Sequence, residues 1–139
     1  MNKNEESFKK SLQRYSHLAN CHYTHIPDVV RKVAAEMRRI YGPKAYIAEP
    51  RPCDGILSTP KNNYFVELKY ANNQLTDRQK KFGERINSIN GKFFVLRKRF
   101  VRNKLIYSIE TVYREKIYET DTLINMLQYI VNKEKTVNF

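Results

Sequence analysis

The pattern of apolar and polar positions predicts alternating helices and strands along this chain. Segments in which apolar residues recur every three or four positions predict four helices. These segments are residues 3–18, 27–41, 76–90 and 123–131. Short runs of β-branched and aromatic residues between turn-forming residues predict five strands. These runs are residues 45–48, 54–58, 64–70, 92–96 and 105–109. Because one helix separates two central strands, the pattern favours an α/β fold, a mixed central β-sheet flanked by helices.

Length and charge narrow the class of protein. A chain of 139 residues with 41% hydrophobic residues suits one packed domain, 1–139, with its core over about 27–97. Twenty-six Lys and Arg against 14 Asp and Glu give a formal net charge of +12, which favours a polyanionic partner, nucleic acid first. No apolar run approaches the roughly 20 residues of a membrane span, and the first residues contain no secretory apolar stretch. We therefore expect a cytoplasmic protein of a bacterial or phage-infected cell, with no membrane partner.

The third predicted strand places charged residues on one of its faces. Alternation along a strand puts Tyr64, Val66 and Leu68 on one side, and Glu67 with Lys69 on the other. The preceding predicted strand begins at Asp54, and a hairpin between the two strands brings Asp54 close to Glu67. Two carboxylates that close repel unless a cation lies between them.

A hard divalent cation satisfies this arrangement best. Mg²⁺ or Mn²⁺ accepts carboxylate and carbonyl oxygens, so Asp54, Glu67 and the carbonyl of Leu68 form a candidate open metal site. On a basic protein such a site suggests phosphodiester hydrolysis. Lys69 would orient water or offset transition-state charge, and Gln79 on the following helix would support the site.

These residues carry a resemblance to a known family. Pro52-Cys53-Asp54-Gly55, then Val66-Glu67-Leu68-Lys69 with 67 − 54 = 13, then Gln79, resembles the PD-(D/E)xK nuclease superfamily, whose fold is restriction-endonuclease-like. Within it the chain is similar to VRR-NUC domains and to archaeal-type and RecU-like Holliday junction resolvases, including those of phages. The resemblance implies metal-dependent DNA cleavage, with the acids as metal ligands, Lys69 as the motif lysine and Gln79 as the motif glutamine. Cys53 stands where the motif has proline.

Many members of this superfamily place a further acid near the metal, and this sequence leaves three alternatives open. Asp28 begins a predicted helix, Glu36 lies beside the apolar edge of that helix, and Glu49 precedes the Asp54 strand. Asp28 has the competing role of stabilising the helix N-terminus.

Basic residues near the predicted site are candidates for contacts to the DNA backbone. They are Arg51, Lys80, Lys81, Arg97, Lys98 and Arg99. No base-reading motif is visible, so we expect binding guided by the shape of branched or otherwise structured DNA. Paired cuts at a junction favour a homodimer.

Two rival interpretations remain at this point. A non-catalytic nucleic-acid-binding module would keep the fold and use the acids as structural pairs. A regulatory protein would dock its basic face on an acidic partner. The two cysteines, Cys21 and Cys53, are too few for a disulfide framework and are expected to be packing residues. Cys21 also lies among three histidines whose spacing matches no common structural zinc pattern.

Overall fold

The computed structural model of the chain describes residues 3–27, 30–43 and 52–136. Its elements follow one another in chain order, and we number them as they occur. They are α1 (Lys3–Tyr15), a 3₁₀ turn (Ser16–Ala19), β1 (His22–His25), α2 (Val30–Tyr41), β2 (Gly55–Ser58), β3 (Asn63–Tyr70), α3 (Asp77–Ser88), β4 (Phe93–Val101), β5 (Lys104–Glu110), β6 (Lys116–Thr120) and α4 (Leu123–Thr136).

The six strands form one mixed sheet in the order β1-β2-β3-β4-β5-β6. Only the β3–β4 pair is parallel, with Glu67 opposite Val95 and Lys69 opposite Arg97. The other four neighbouring pairs are antiparallel. A parallel pair needs a crossover, and α3 supplies it, so the predicted mixed sheet flanked by helices is confirmed.

The larger apolar core lies between one sheet face and the pair α1 and α4. Tyr64, Val66 and Leu68 of β3 have no exposed surface, and they meet Phe8 and Leu12 of α1 there. The predicted stripe of α1 is thus confirmed at its two central positions, whereas Tyr15 at the end of the helix is 40% exposed.

A smaller core lies under α3, on the face that carries Glu67 and Lys69. Phe82 packs edge-on against Phe65 of β3 and Phe93 of β4. A Cβ on Gly83 would lie 2.8 Å from the ring of Phe93, so the absence of a side chain there lets α3 approach the sheet closely. Phe65 and Phe93 lie on the same face as the charged residues and need apolar cover. For this reason a helix partly covers the charged face.

A buried polar cluster ties the end of α4 to the β2–β3 turn. The Glu134 carboxylate, 3% exposed, accepts hydrogen bonds from Thr59, Asn62 and Tyr64. Lys61 Nζ also donates to the Glu134 carbonyl oxygen at 2.7 Å. Buried carboxylates need such partners, so this cluster anchors α4 at a defined place on the sheet.

Two strands differ from the sequence-based expectations. Strands β1 and β6, at the two edges of the described sheet, are not among the predicted strands, and β1 lies within the histidine and cysteine cluster. The last helix is capped by Thr122, whose Oγ1 accepts from the Asn125 N–H. The predicted strand 45–48 lies outside the described residues, so it stays a prediction.

Within the described ranges, no helix combines the length and apolar character that crossing a membrane requires. Both cysteines are buried, as expected of packing residues.

Candidate active site

Asp54 is held from two directions just before β2. Its backbone carbonyl accepts from the Ile26 N–H at 2.8 Å, and its Oδ2 accepts from the Leu68 N–H at 2.8 Å. The antiparallel β2–β3 register pairs Gly55 with Val66. When this register is continued by one residue, Asp54 lies opposite Glu67. The structure therefore brings the two predicted acids together on neighbouring strands.

The glycine after Asp54 is required by the neighbouring strand. A Cβ on Gly55 would lie 2.5 Å from the Tyr23 ring and 2.6 Å from the Thr24 carbonyl oxygen. Only glycine allows this approach. The close contact between β1 and β2 fixes the backbone that presents the Asp54 carboxylate.

Glu67 is oriented by the first turn of α3. Its Oε1 accepts from Gln79 Nε2 at 2.9 Å. The same Gln79 amide accepts the Thr76 N–H through Oε1 at 2.9 Å, and Thr76 Oγ1 accepts the Gln79 N–H at 3.2 Å. This is a capping box, in which the N-cap and the third helical residue satisfy each other's backbone N–H groups. Because the amide oxygen is taken by the cap, the amide NH₂ group faces Glu67.

The predicted catalytic residues are enclosed in the fold. Asp54, Glu67 and Lys69 are 4%, 3% and 8% exposed. Lys69 follows Glu67 by two strand positions and thus shares its face. Burial, and then the negative charge of Glu67, raises the pKa of the Cys53 thiol to about 12, with Asp54 adding to the effect. A protonated, inert Cys53 beside two acids is a packing residue and no nucleophile.

The donor set fits a hard divalent cation. Two buried carboxylates on adjacent strands repel each other and supply oxygen ligands, which Mg²⁺ and Mn²⁺ prefer. No group of three or more His, Cys, Asp or Glu side chains suited to a metal occurs in the part of the chain that the structure describes. Asp54 and Glu67 are the two described carboxylates proposed for the site, and open magnesium sites use one or two carboxylates with waters and phosphate oxygens.

The structure describes one of the three candidates for a further acidic metal ligand. The place of Glu36 beside the apolar edge of the helix predicted a side chain directed inwards. The structure corrects this, since the Glu36 side chain is 57% exposed and pairs with Arg39. That hydrogen bond lowers the pKa of Glu36. Asp28 and Glu49 lie outside the described residues.

Arg97 is a structural residue of the interior. Its side chain is 2% exposed, and its Nε donates to both carboxylate oxygens of Glu110 at 3.0 Å. Its Nη1 donates to the carbonyl oxygens of Ala71 and Asn73 at 2.7 Å each. This position corrects the expectation of a phosphate contact at Arg97, because the side chain is buried and its Nε and Nη1 donors are bonded within the protein. The partner, Glu110, lies thirteen residues away on the next strand and gave no sequence signal.

The other basic candidates have different surroundings. Lys80 and Lys81 are exposed on α3, next to Gln79. Arg99 pairs with Glu119, and Lys98 is half-buried at a β4 position that alternation directs to the face opposite Glu67. Arg51 lies outside the described residues.

Comparison with known proteins gives a result at the level of fold. No protein-family model and no curated protein sequence matches the chain. Among solved structures, the chain is similar to that of Hjc from Archaeoglobus fulgidus, a Holliday junction resolvase from an archaeal hyperthermophile. The match covers 91% of this chain and 98% of that chain, with a TM-score of 0.52 and 11% sequence identity. The chain therefore has a nuclease-like α/β fold of the kind seen in Hjc.

Proposed function

We propose that the chain is a metal-dependent DNA endonuclease of the PD-(D/E)xK type. The observation that carries the proposal is the pairing of two buried carboxylates, Asp54 and Glu67, with Lys69 further along the same face. The Leu68 carbonyl, between the acid and the lysine, is proposed as a third metal ligand. Likeness to Hjc in fold and the net charge of +12 both support this activity.

The reaction would be hydrolysis of a phosphodiester bond. A bound Mg²⁺ or Mn²⁺ ion would polarise a phosphate oxygen and lower the pKa of a water molecule. Lys69 would hold the attacking water or offset the negative charge that grows on the phosphate oxygens. Gln79 keeps Glu67 oriented through its amide, and this orientation is set by the capping box.

The proposed substrate is branched or otherwise structured DNA, as for a Holliday junction resolvase. Lys80 and Lys81 on α3 lie beside Gln79 and are proposed to contact backbone phosphates, together with Arg51 and Arg99. Lys98, on the opposite face of the sheet, is left out of this set. Resolution of a junction requires two symmetric cuts, so we propose a homodimer that acts in the cytoplasm. The relation to VRR-NUC and RecU-like proteins is part of the same proposal.

The test is cleavage of end-labelled four-way junction, flap, duplex and single-stranded DNA in Mg²⁺, Mn²⁺ or EDTA. Wild type should cut in either metal and not in EDTA. Glu67→Gln should lower the rate by about 10²-fold or more, because a metal ligand is lost. Glu6→Gln, which removes a partly exposed acid on α1 at the opposite face of the sheet, is the control and should keep the wild-type rate.

Two results would decide between this proposal and its rival. Paired symmetric cuts restricted to the junction would identify a resolvase. Folded wild-type protein that binds DNA and cuts none of the four substrates would overturn the enzyme and favour a non-catalytic binding module.

A further inference from the structure

A cavity of about 190 Å³ lies next to the candidate active site, between the start of α3 and the loop that follows β5. Val95 and Arg97 of β4 contribute to its lining, together with Leu75 and Lys80 from the α3 side. Val95 is the register partner of Glu67, so the cavity is one strand away from the proposed metal ligand. Neighbouring strands are about 4.8 Å apart. A nucleotide in the cavity would therefore be next to the one whose phosphate lies at Glu67.

The outer wall of the cavity combines an aromatic ring with positive charge. Tyr113 is 59% exposed, although it is a large aromatic residue. The Lys80 ammonium lies 5.5 Å from the centroid of its ring. Arg114 adds a guanidinium at the same wall, and its Nη2 donates to Asn72 Oδ1 at 3.0 Å. An exposed ring beside two cations is the combination that single nucleic-acid strands require, a face for stacking and charges for phosphates.

The loop that presents Tyr113 is fixed by its own hydrogen bonds. Thr111 Oγ1 accepts the N–H groups of Tyr113 at 3.2 Å and Glu115 at 3.1 Å. The backbone of Thr111 also exchanges hydrogen bonds with Arg114 and Glu115. Buried Val112 anchors the loop in the smaller core. The backbone that carries the ring is therefore held in place before any ligand binds, which lowers the entropic cost of binding.

The floor of the cavity is equally rigid. Arg97 joins Glu110 to the carbonyl oxygens of Ala71 and Asn73, so it connects β4, β5 and the β3–α3 loop. The Nε and Nη1 donors of Arg97 are therefore engaged within the protein. Free charge is concentrated at the wall, where Lys80 and Arg114 lie.

We infer that this cavity binds one unpaired nucleotide of the substrate strand, with its base stacked on Tyr113 and its phosphate held by Lys80 and Arg114. The inference deepens the proposed function, on which it rests, because it gives the site a preference for DNA with unpaired bases near the cut. A fully paired duplex has no free base to place there.

The test is a metal-free binding titration in EDTA, so that no cleavage occurs. Fluorescence anisotropy is measured with a labelled single-stranded oligonucleotide and with a duplex of the same length. Tyr113→Leu should weaken binding of the single strand by about tenfold, since loss of stacking on one base has that effect. Tyr113→Phe keeps the ring and should stay within about twofold of wild type. Duplex binding should be unchanged in both variants.

Tyr15 offers a matched control. It is an exposed tyrosine with the Arg14 guanidinium 5.4 Å from its ring centroid, and it lies on α1, which packs on the opposite face of the sheet. Tyr15→Leu should leave binding of the single strand unchanged.

The inference is overturned if Tyr113→Leu binds the single strand as wild type does, or if it weakens single strand and duplex equally. Either result leaves the cleavage proposal standing, because cleavage is measured separately in metal. A third result is possible, in which wild type cuts no DNA but Tyr113→Leu weakens binding of the single strand only. The cleavage proposal would then fail, and the protein would be a binding module with this nucleotide site.

Discussion

The ion pair of Arg97 and Glu110 is buried, with side chains 2% and 9% exposed. Taking both charges out of water is unfavourable, and the pair is maintained by four hydrogen bonds from one guanidinium. Removing one partner leaves the other charge buried without compensation, whereas removing both charges relieves that penalty.

We therefore expect Arg97→Met to lower the free energy of unfolding by about 3–5 kcal/mol. Adding Glu110→Gln to that variant should restore at least about 1 kcal/mol. Urea unfolding followed by circular dichroism measures both. Arg99→Met, which breaks the partly exposed pair with Glu119, should cost less than about 1 kcal/mol. Equal losses in the Arg97 and Arg99 variants would contradict this account.

Cys21 couples folding to alkaline pH. Its Sγ donates to the Ser16 carbonyl oxygen at 3.3 Å, and burial, with a smaller effect of the Glu134 charge, raises its pKa from 9.0 to about 11. Between these values the unfolded chain has lost the thiol proton and the folded chain keeps it. Fewer bound protons in the unfolded state mean that stability falls as pH rises.

The expected result is a loss of about 2–3 kcal/mol from this group as pH rises from 9 to 11. Cys21→Ala has no such proton, so the stability difference between wild type and Cys21→Ala should shrink over this range. Urea unfolding at pH 8 and at pH 10.5 provides the comparison. A difference that is constant with pH would refute the assignment.

Single residues were predictable from sequence where a local pattern exposed them. Asp54 and Glu67 could be assigned because strand alternation and the hairpin place them together, and the structure does so. The role of Arg97 could not be assigned, since its acceptors on β5 and the β3–α3 loop are distant in sequence. A run of basic residues predicts an exposed charged surface only when none of them can form an ion pair with a buried acid.

At the scale of elements, α3 determines the geometry of the site. It closes the β3–β4 crossover, and its capping box orients the Gln79 amide towards Glu67. Its distance from the sheet is set by Gly83 against Phe93 and Val112. A change in that distance would move Gln79 relative to Glu67.

Gly83→Ala should lower the free energy of unfolding by about 1–2 kcal/mol, because overpacking against Phe93 exceeds the gain in helix propensity. Thermal unfolding measures the effect. Asn87→Ala, an exposed change on the same helix, should stay within about 0.5 kcal/mol of wild type. A Gly83→Ala protein more stable than wild type would show that α3 has room above the sheet.

The predicted elements were most accurate where a period was long enough to detect. The α3 stripe was found, and the four-residue β2 was found through its hairpin with the eight-residue β3. Strands β1 and β6, with four and five residues and no such partner next to them in the sequence pattern, were missed. Both missed strands lie at the edges of the sheet as far as the structure describes it, with one neighbour each among the described strands, and their apolar signal is weak. Tertiary pairing, not local sequence, defines them.

At the scale of the whole molecule, the net charge of +12 favours a polyanionic partner. The sheet and its helices have the fold of Hjc. The order of helices and strands was enough to predict the α/β fold, whereas the nucleic-acid partner stays a prediction from composition. The preference for one DNA structure depends on the shape of the surface and the number of subunits, which no local pattern encodes.

The central claim is that Asp54 and Glu67 together hold a divalent cation. Isothermal titration of Mn²⁺ into the metal-free protein tests it without any choice of DNA substrate. We expect wild type to bind the ion, and Asp54→Asn or Glu67→Gln to bind it at least about tenfold more weakly, because each loses a charged ligand. Glu119→Gln should match wild type. Wild-type protein that binds no Mn²⁺, or acid variants that bind it as tightly as wild type, would contradict the claim.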